Sequence, residues 1–274
     1  MVLTEAHKAD LKVYFSIPLQ PKSDGINWER VNELLKHTLR SIEGQSNSNF
    51  VAIVCGHEYP EVLNDFSKDK FIFLHADFAK PDSREKGRAD KGKKRLRIAN
   101  EIHRLGGGYM MYLDADDLVH KNLVEYILSD NNGRGYIISD GYALDYNNNV
   151  LGAIPGVWRK EYHGVCGSSG IVYFSQEDLP ADAKTRNKLI PIEEQILYYR
   201  IKNHTHFEKL VFSNGKGLDK IPFSAGVYVI NNFTNLSYNL VRDAKRQKEL
   251  VDAVRKWRIA NQEDVLKDFS FFTS

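Results

Sequence analysis

At 274 residues and 42% apolar, the chain can bury a full core as one large α/β domain or two small ones, and no part of it has a disordered composition. Its 38 Lys and Arg against 36 Asp and Glu give a net charge of +2, which excludes a global pull toward nucleic acid or an anionic membrane. Cys55 and Cys166 lie among apolar or small residues with no metal or redox spacing, which favours a reducing compartment. With no h-region at its start and no apolar run near the ~18–20 residues that span a bilayer, a cytoplasmic protein is expected.

In chain order, Lys12 to Pro18 reads as a strand, closed by a Pro- and Gly-containing loop. Trp28, Val31, Leu34, Leu35, Leu39 and Ile42 then recur at helical spacing up to a stop at Gly44. Phe50 to Cys55 and Lys70 to His75 are the next strands, with a short helical piece from Pro60 to Phe66 between them. Strands alternating with helices imply a mostly parallel sheet, whose ligands bind outside the carboxyl ends of its strands. Pro18, His57, Glu58, Asp77 and the acids after Leu113 should share that rim, although His57 and Glu58 equally suit ordinary loop positions.

Lys80 to Arg97 is the most basic stretch, with Lys91, Lys93 and Lys94 near its centre. Such a run is usually a solvated helix face, but beside carboxylates it also suits a diphosphate. It lacks interleaved aromatics, which argues against a nucleic-acid platform. Leu96, Ala99, Ile102 and Leu105 continue it as a helix ending at three glycines.

YMMYLDADDL, Tyr109 to Leu118, is the centre of the chain: an interior strand that delivers Asp114, Asp116 and Asp117 to the sheet edge. Unpaired buried carboxylates are costly, so a D-x-D at a strand end fits a divalent cation held by hard oxygens, and it fits a solvated turn or helix cap equally well. Leu118 to Leu128 reads as a helix, Tyr136 to Asp140 as a strand, and Tyr142 to Ile154 as a hairpin turning at Asp145 to Asn149. HGVCGSSG, His163 to Gly170, suits a tight turn or the close approach of another molecule. Pro191 to Ile201 reads as a helix with Glu193 and Glu194 in its first turn, where the helix dipole alone favours acids. Phe223 to Ile230 is a last strand, and Leu240 to Leu266 a helical tail, basic on one side and apolar on the other. Such a helix usually packs on its own domain, and with Trp257, Phe269, Phe271 and Phe272 this tail also leaves room for peripheral contact with the inner face of a membrane.

From Lys12 to about Ser237 the order of motifs resembles a nucleotide-sugar-dependent glycosyltransferase of the GT-A fold, similar to bacterial members of glycosyltransferase family 2. FSIP with its helix and the following SIEGQSNSNFVAIV resemble the family's opening strand, helix and second strand. YMMYLDADDL resembles its metal-binding strand, YIISDGYALDYNNNVLG its hairpin, and EEQILYYRI the place of its catalytic acid pair and following Arg, here Arg200. The resemblance implies a Rossmann-like, mostly parallel sheet with an antiparallel acceptor-side portion. It divides the chain into a GT-A domain over 1–236, with a nucleotide-sugar half at 12–120 and an acceptor half at 121–236, and a tail over 237–274.

It further implies that Asp116 holds Mn2+ or Mg2+ on the donor diphosphate, that Asp114 contacts the ribose or the metal, and that Asp117 supports the site. Pro18, Asp77, Lys91, Lys93 and Lys94 would contact the donor, expected to be a UDP-sugar, and Trp158 and His163 the acceptor, a glycan or lipid-linked sugar. Glu194 falls on the catalytic base, with Glu193 as second candidate, for an inverting transfer in bacterial surface polysaccharide synthesis. The chain departs from the family in having Glu where Asp is usual and CGHE after the second strand. No histidine follows His206 to serve as a late metal ligand; Asn231 or Asn232 lies roughly there. A non-catalytic nucleotide- or sugar-binding protein is the alternative, and a D-x-D phosphatase fits less well because three strands precede the motif.

Overall fold

The run VYFSIP has no polar face, and in the computed structural model it forms Val13–Pro18 (β1), buried along its whole length. The structure describes residues 11–23, 25–82, 84–157, 160–182, 218–232 and 244–271. β1 lies parallel to and between Phe50–Gly56 (β2) and Gly107–Tyr112 (β4), and β2 pairs in parallel with Phe71–His75 (β3). Beyond β4 come Gly170–Ser175 (β9), which is antiparallel, then Gly135–Ile137 (β6) and Asp219–Lys220 (β10). The order β10-β6-β9-β4-β1-β2-β3 makes a mixed α/β architecture with a mostly parallel central sheet.

The two-residue period of the strands feeds two helical layers. Val13, Phe15, Ile17, Ala52, Val54 and Met111 face Val31, Leu35, Leu39 and Ile42 of the helix Trp28–Glu43 (α1). Tyr14, Ile53, Cys55, Met110 and Tyr112 face Leu96, Ala99 and Ile102 of Arg84–Arg104 (α2) on the other side. The Asn27 side chain caps α1 by accepting the Arg30 N–H, and Gly44 ends it where the sequence places the stop. The chain runs outward from β1 to β2 and β3, then returns through α2 to β4 on the other side of β1. The strand order therefore reverses between β1 and β4, which opens a crevice at their carboxyl ends.

Leu118–Val119 (β5), Gly226–Ile230 (β11), Gly141–Asp145 (β7) and Val150–Ile154 (β8) form a second sheet in that order. The β7–β8 hairpin is antiparallel, as its turn chemistry predicts. Gly141 and Gly226 are in register, and a Cβ on either would lie 2.5–2.6 Å from the Tyr162 ring. Together they form the slot in which that buried ring rests.

Several expectations change. Leu118 and Val119 begin no helix; they pair with Val227 and Gly226, and the helix starts later, as Leu123–Asp130 (α3). The strand expected over Tyr136 to Asp140 is β6, which starts one residue earlier, at Gly135, and ends three residues earlier, at Ile137. Sequence reading did not pick out β9, although it is the antiparallel strand on which β4 and β6 meet. The tail is two helices, Ala244–Lys256 (α4) and Gln262–Lys267 (α5). Between them the backbone pairs with β8, through an Arg258–Gly152 bridge and Ile259 N–H donating to Leu151 O at 3.0 Å. Phe269 and Phe271 are buried with Leu34, Leu118, Leu144, Val227 and Val229 rather than turned outward, whereas Trp257 is 46% exposed. No helix among the described residues is long and apolar enough to cross a membrane.

Because Phe269 is a core residue, Phe269→Ala should cost about 3–5 kcal/mol in urea unfolding. The rings of His120 and His37 lie against Phe269 and Phe271 at 5.4 and 4.7 Å, and burial lowers both imidazole pKa values, with Asp268 and Glu33 respectively opposing. Folded values below the unfolded ~6.5 mean that the unfolded chain takes up these protons first. Stability should be full above about pH 6.5 and fall as the pH drops through that value toward the folded pKa values. A His37→Gln/His120→Gln double variant should flatten this slope in urea titrations between pH 5 and 8 (roughly the range in which histidine titrates).

Candidate functional site

β4 ends at the crevice, and the chain turns at once, with Asp117 N–H donating to Asp114 O at 3.3 Å. This turn sends the three carboxylates in different directions. Asp114 points toward α2, where Lys91 Nζ is 2.6 Å and Arg95 Nη2 3.6 Å from its Oδ1. Asp116 is half-buried and accepts from Asn232 Nδ2 at 2.8 Å. Asp117, 1% exposed, accepts from Val229 N–H at 3.0 Å, Ser168 Oγ at 2.5 Å and Cys166 Sγ at 3.2 Å. Ser168 Oγ also accepts the Asp114 N–H at 2.9 Å, so one hydroxyl links two of the acids.

The electrostatics follow from this crowding. Burial first, then the negative charge of Asp114, pushes the Asp116 carboxyl up to about 7, against the Asn232 N–H and the Lys91 charge. Burial and the charges of Asp116 and Asp114 drive Asp117 well up, against its bonds from Ser168 and Val229. A divalent cation beside Asp114 and Asp116 would favour their ionised forms.

No group of three or more His, Cys, Asp or Glu is arranged to hold a metal among the described residues. The donor set is instead two hard-oxygen carboxylates with an amide beside them. This fits Mg2+ or Mn2+ shared with phosphates and water, and does not fit an ion caged by protein alone.

The three candidate lysines diverge. Lys91 reaches Asp114; Lys93 Nζ lies 5.3 Å from the centre of the Phe78 ring. Lys94 is fully buried, donating to Leu19 O at 2.7 Å and Asp90 Oδ2 at 2.6 Å, while His57 Nε2 meets Asp90 Oδ1 at 2.7 Å. Burial lowers the Lys94 pKa, with Asp90 opposing. This buried chain ties the ends of β1 and β2 to α2. Pro18 is buried at the end of β1, Asp77 is exposed just after β3, and His163 is half-buried with Nδ1 3.5 Å from Glu161 Oε2. Trp158, Glu193, Glu194 and Arg200 lie outside the described residues.

Ser168, Cys166, Arg95 and Asp90 are partners that sequence reading missed. Helical spacing was the available signal, since Arg95 lies four residues after Lys91 and Asp90 four before Lys94. Ser168 and Cys166 sit in a segment whose small residues carry no periodic signal.

No family model matches the chain, and no curated protein matches it in sequence. Among solved structures it is similar over 92% of its length to 4-diphosphocytidyl-2C-methyl-D-erythritol synthase from Anaerococcus prevotii, with 99% of that chain covered, 8% identity and a TM-score of 0.41. It is similar over 91% of its length to a candidate nucleotide-diphospho-sugar transferase from Desulfovibrio desulfuricans, with 99% of that chain covered, 9% identity and a TM-score of 0.36. Scores this low mark loose likenesses, from which nothing about this chain's chemistry follows.

Asp117→Ala strands buried donors from two segments and should cost roughly 3 kcal/mol in urea unfolding. Asp117→Asn keeps an acceptor for Val229 and lets the Ser168 hydroxyl turn to accept, so it should cost less than half as much.

Proposed function

We propose that this chain is a metal-dependent, inverting glycosyltransferase of GT-A type, moving a sugar from a nucleoside-diphosphate sugar to an acceptor hydroxyl. The observation that carries the reading is the pair Asp114 and Asp116, half-buried just past the end of β4 at the switch point between β1 and β4, with Lys91 and Arg95 against Asp114. Carboxylates with cationic side chains beside them suit a ligand that brings both phosphates and a divalent ion. A D-x-D phosphatase would need its first acid poised as a nucleophile, and here that acid is held in an ion pair.

The chain's own groups would act in three ways. Lys91 neutralises phosphate charge. Asp114 and Asp116 would hold Mn2+ or Mg2+, which when bound supplies Lewis-acid stabilisation of the departing nucleoside diphosphate. Glu194, with Glu193 as the second candidate, would take the proton from the acceptor hydroxyl as it attacks the anomeric carbon from the opposite face. UDP is the expected nucleotide. A glycan or lipid-linked sugar of a bacterial surface polysaccharide is the expected acceptor, with the protein working in the cytoplasm or against the inner face of the membrane. Asp77 is the candidate for nucleoside contact, and Trp158 and His163 for acceptor contact.

Thermal unfolding against a panel of nucleoside diphosphates and their sugars, with and without Mn2+, tests the reading. A matching nucleotide at 100 times its dissociation constant should add about 2.7 kcal/mol of stability, and Asp116→Ala should lose the Mn2+-dependent part. Glu194→Gln should keep that shift and lower turnover by roughly 10²–10⁴-fold. A shift without turnover in the unaltered protein would favour the non-catalytic alternative, and no shift with any nucleotide would contradict both.

A further inference from the structure

Asp114 is a candidate cation ligand, yet it already has two cations of the chain's own. Lys91 Nζ is 2.6 Å and Arg95 Nη2 3.6 Å from the same Oδ1. The two differ in freedom. Arg95 is 1% exposed, with its guanidinium carbon 5.0 Å from the centre of the Tyr112 ring. The Lys91 side chain is 23% exposed at the crevice and ends a flexible four-carbon stem. Arg95 is held where it is, and Lys91 is free to move.

We infer that Lys91 is an exchangeable counter-ion of the donor site: it neutralises Asp114 in the ligand-free protein and transfers to the donor diphosphate when a divalent cation takes its place. This inference rests on the nucleotide-sugar reading above. An ammonium and a divalent ion on one carboxylate repel each other, so cation binding without nucleotide must also break the Lys91–Asp114 pair. A diphosphate offers the displaced ammonium new anionic oxygens a short distance away. Nucleotide and cation each favour the Lys91 position that the other needs, so they bind with positive coupling. Arg95, buried and 3.6 Å from the same Oδ1, remains beside Asp114 in both positions.

The test reads Mn2+ binding directly, by the electron paramagnetic resonance signal of free Mn2+, first with MnCl2 alone and then with UDP. Lys91→Met keeps most of the stem and removes the charge, and thermal unfolding checks that it folds. It should bind Mn2+ alone on the order of tenfold more tightly than the unaltered protein, a change equivalent to about 1.4 kcal/mol. UDP should then improve its Mn2+ affinity less than it improves that of the unaltered protein. Lys91→Arg, which keeps a cation against Asp114, should retain the weak binding of Mn2+ alone. If the unaltered protein binds Mn2+ with UDP but Lys91→Met holds Mn2+ alone no more tightly, the exchange is wrong and the nucleotide reading stands. If neither protein binds Mn2+ even with UDP, the nucleotide-sugar reading fails and the exchange fails with it.

Discussion

A carboxylate cut off from water must be met by donors, and the way Asp117 is met ties this structure together. Its donors come from two distant segments, the Cys166 and Ser168 side chains and the backbone of Val229 in β11. One buried acid thus holds the turn after β4, the loop before β9 and the second sheet in one arrangement. The two neighbouring acids are half-buried beside it, Asp114 against Lys91 and Arg95 and Asp116 against Asn232.

The site divides charge in the same way along α2. Asp90 and Lys94 point into the protein and lock the helix to the ends of β1 and β2, with His57 completing the chain. Lys91, on an adjacent face of the helix, points along the crevice to Asp114. Burying three ionisable groups is costly unless their partners are fixed, so this chain contributes alignment more than net stability. It sets where Lys91 and Arg95 stand relative to the acids, and the electrostatics of the crevice depend on that placement.

Much of this was legible in the sequence. The strands β1, β2 and β4 announce themselves because they lie inside the sheet and are apolar on both faces, the edge strand β3 by its short apolar run, and α1 because its period and its stop at Gly44 agree. The acids at the end of β4 were legible as a group, since three carboxylates after a buried strand need an explanation. Their division of labour was not legible, because it depends on Ser168, Val229 and Asn232, which lie 51–116 residues away from their acid partners. Leu118 and Val119 misled for a related reason: their apolar character is satisfied by pairing with β11, a contact that no local pattern encodes. The tail's aromatic residues left both packing on the domain and contact with a membrane open, because a helix pattern does not say which neighbour covers it; Phe269 and Phe271 complete the core beneath β5.

The central claim is that the crevice between the ends of β1 and β4 receives a nucleoside diphosphate with its cation. Crystals grown with UDP and Mn2+, with diffraction recorded at the manganese absorption edge, test it most directly. The account predicts an anomalous peak against Asp114 and Asp116, with the diphosphate lying along the crevice toward Lys91. Nucleotide bound elsewhere on the protein, or manganese bound away from these two carboxylates, would contradict it.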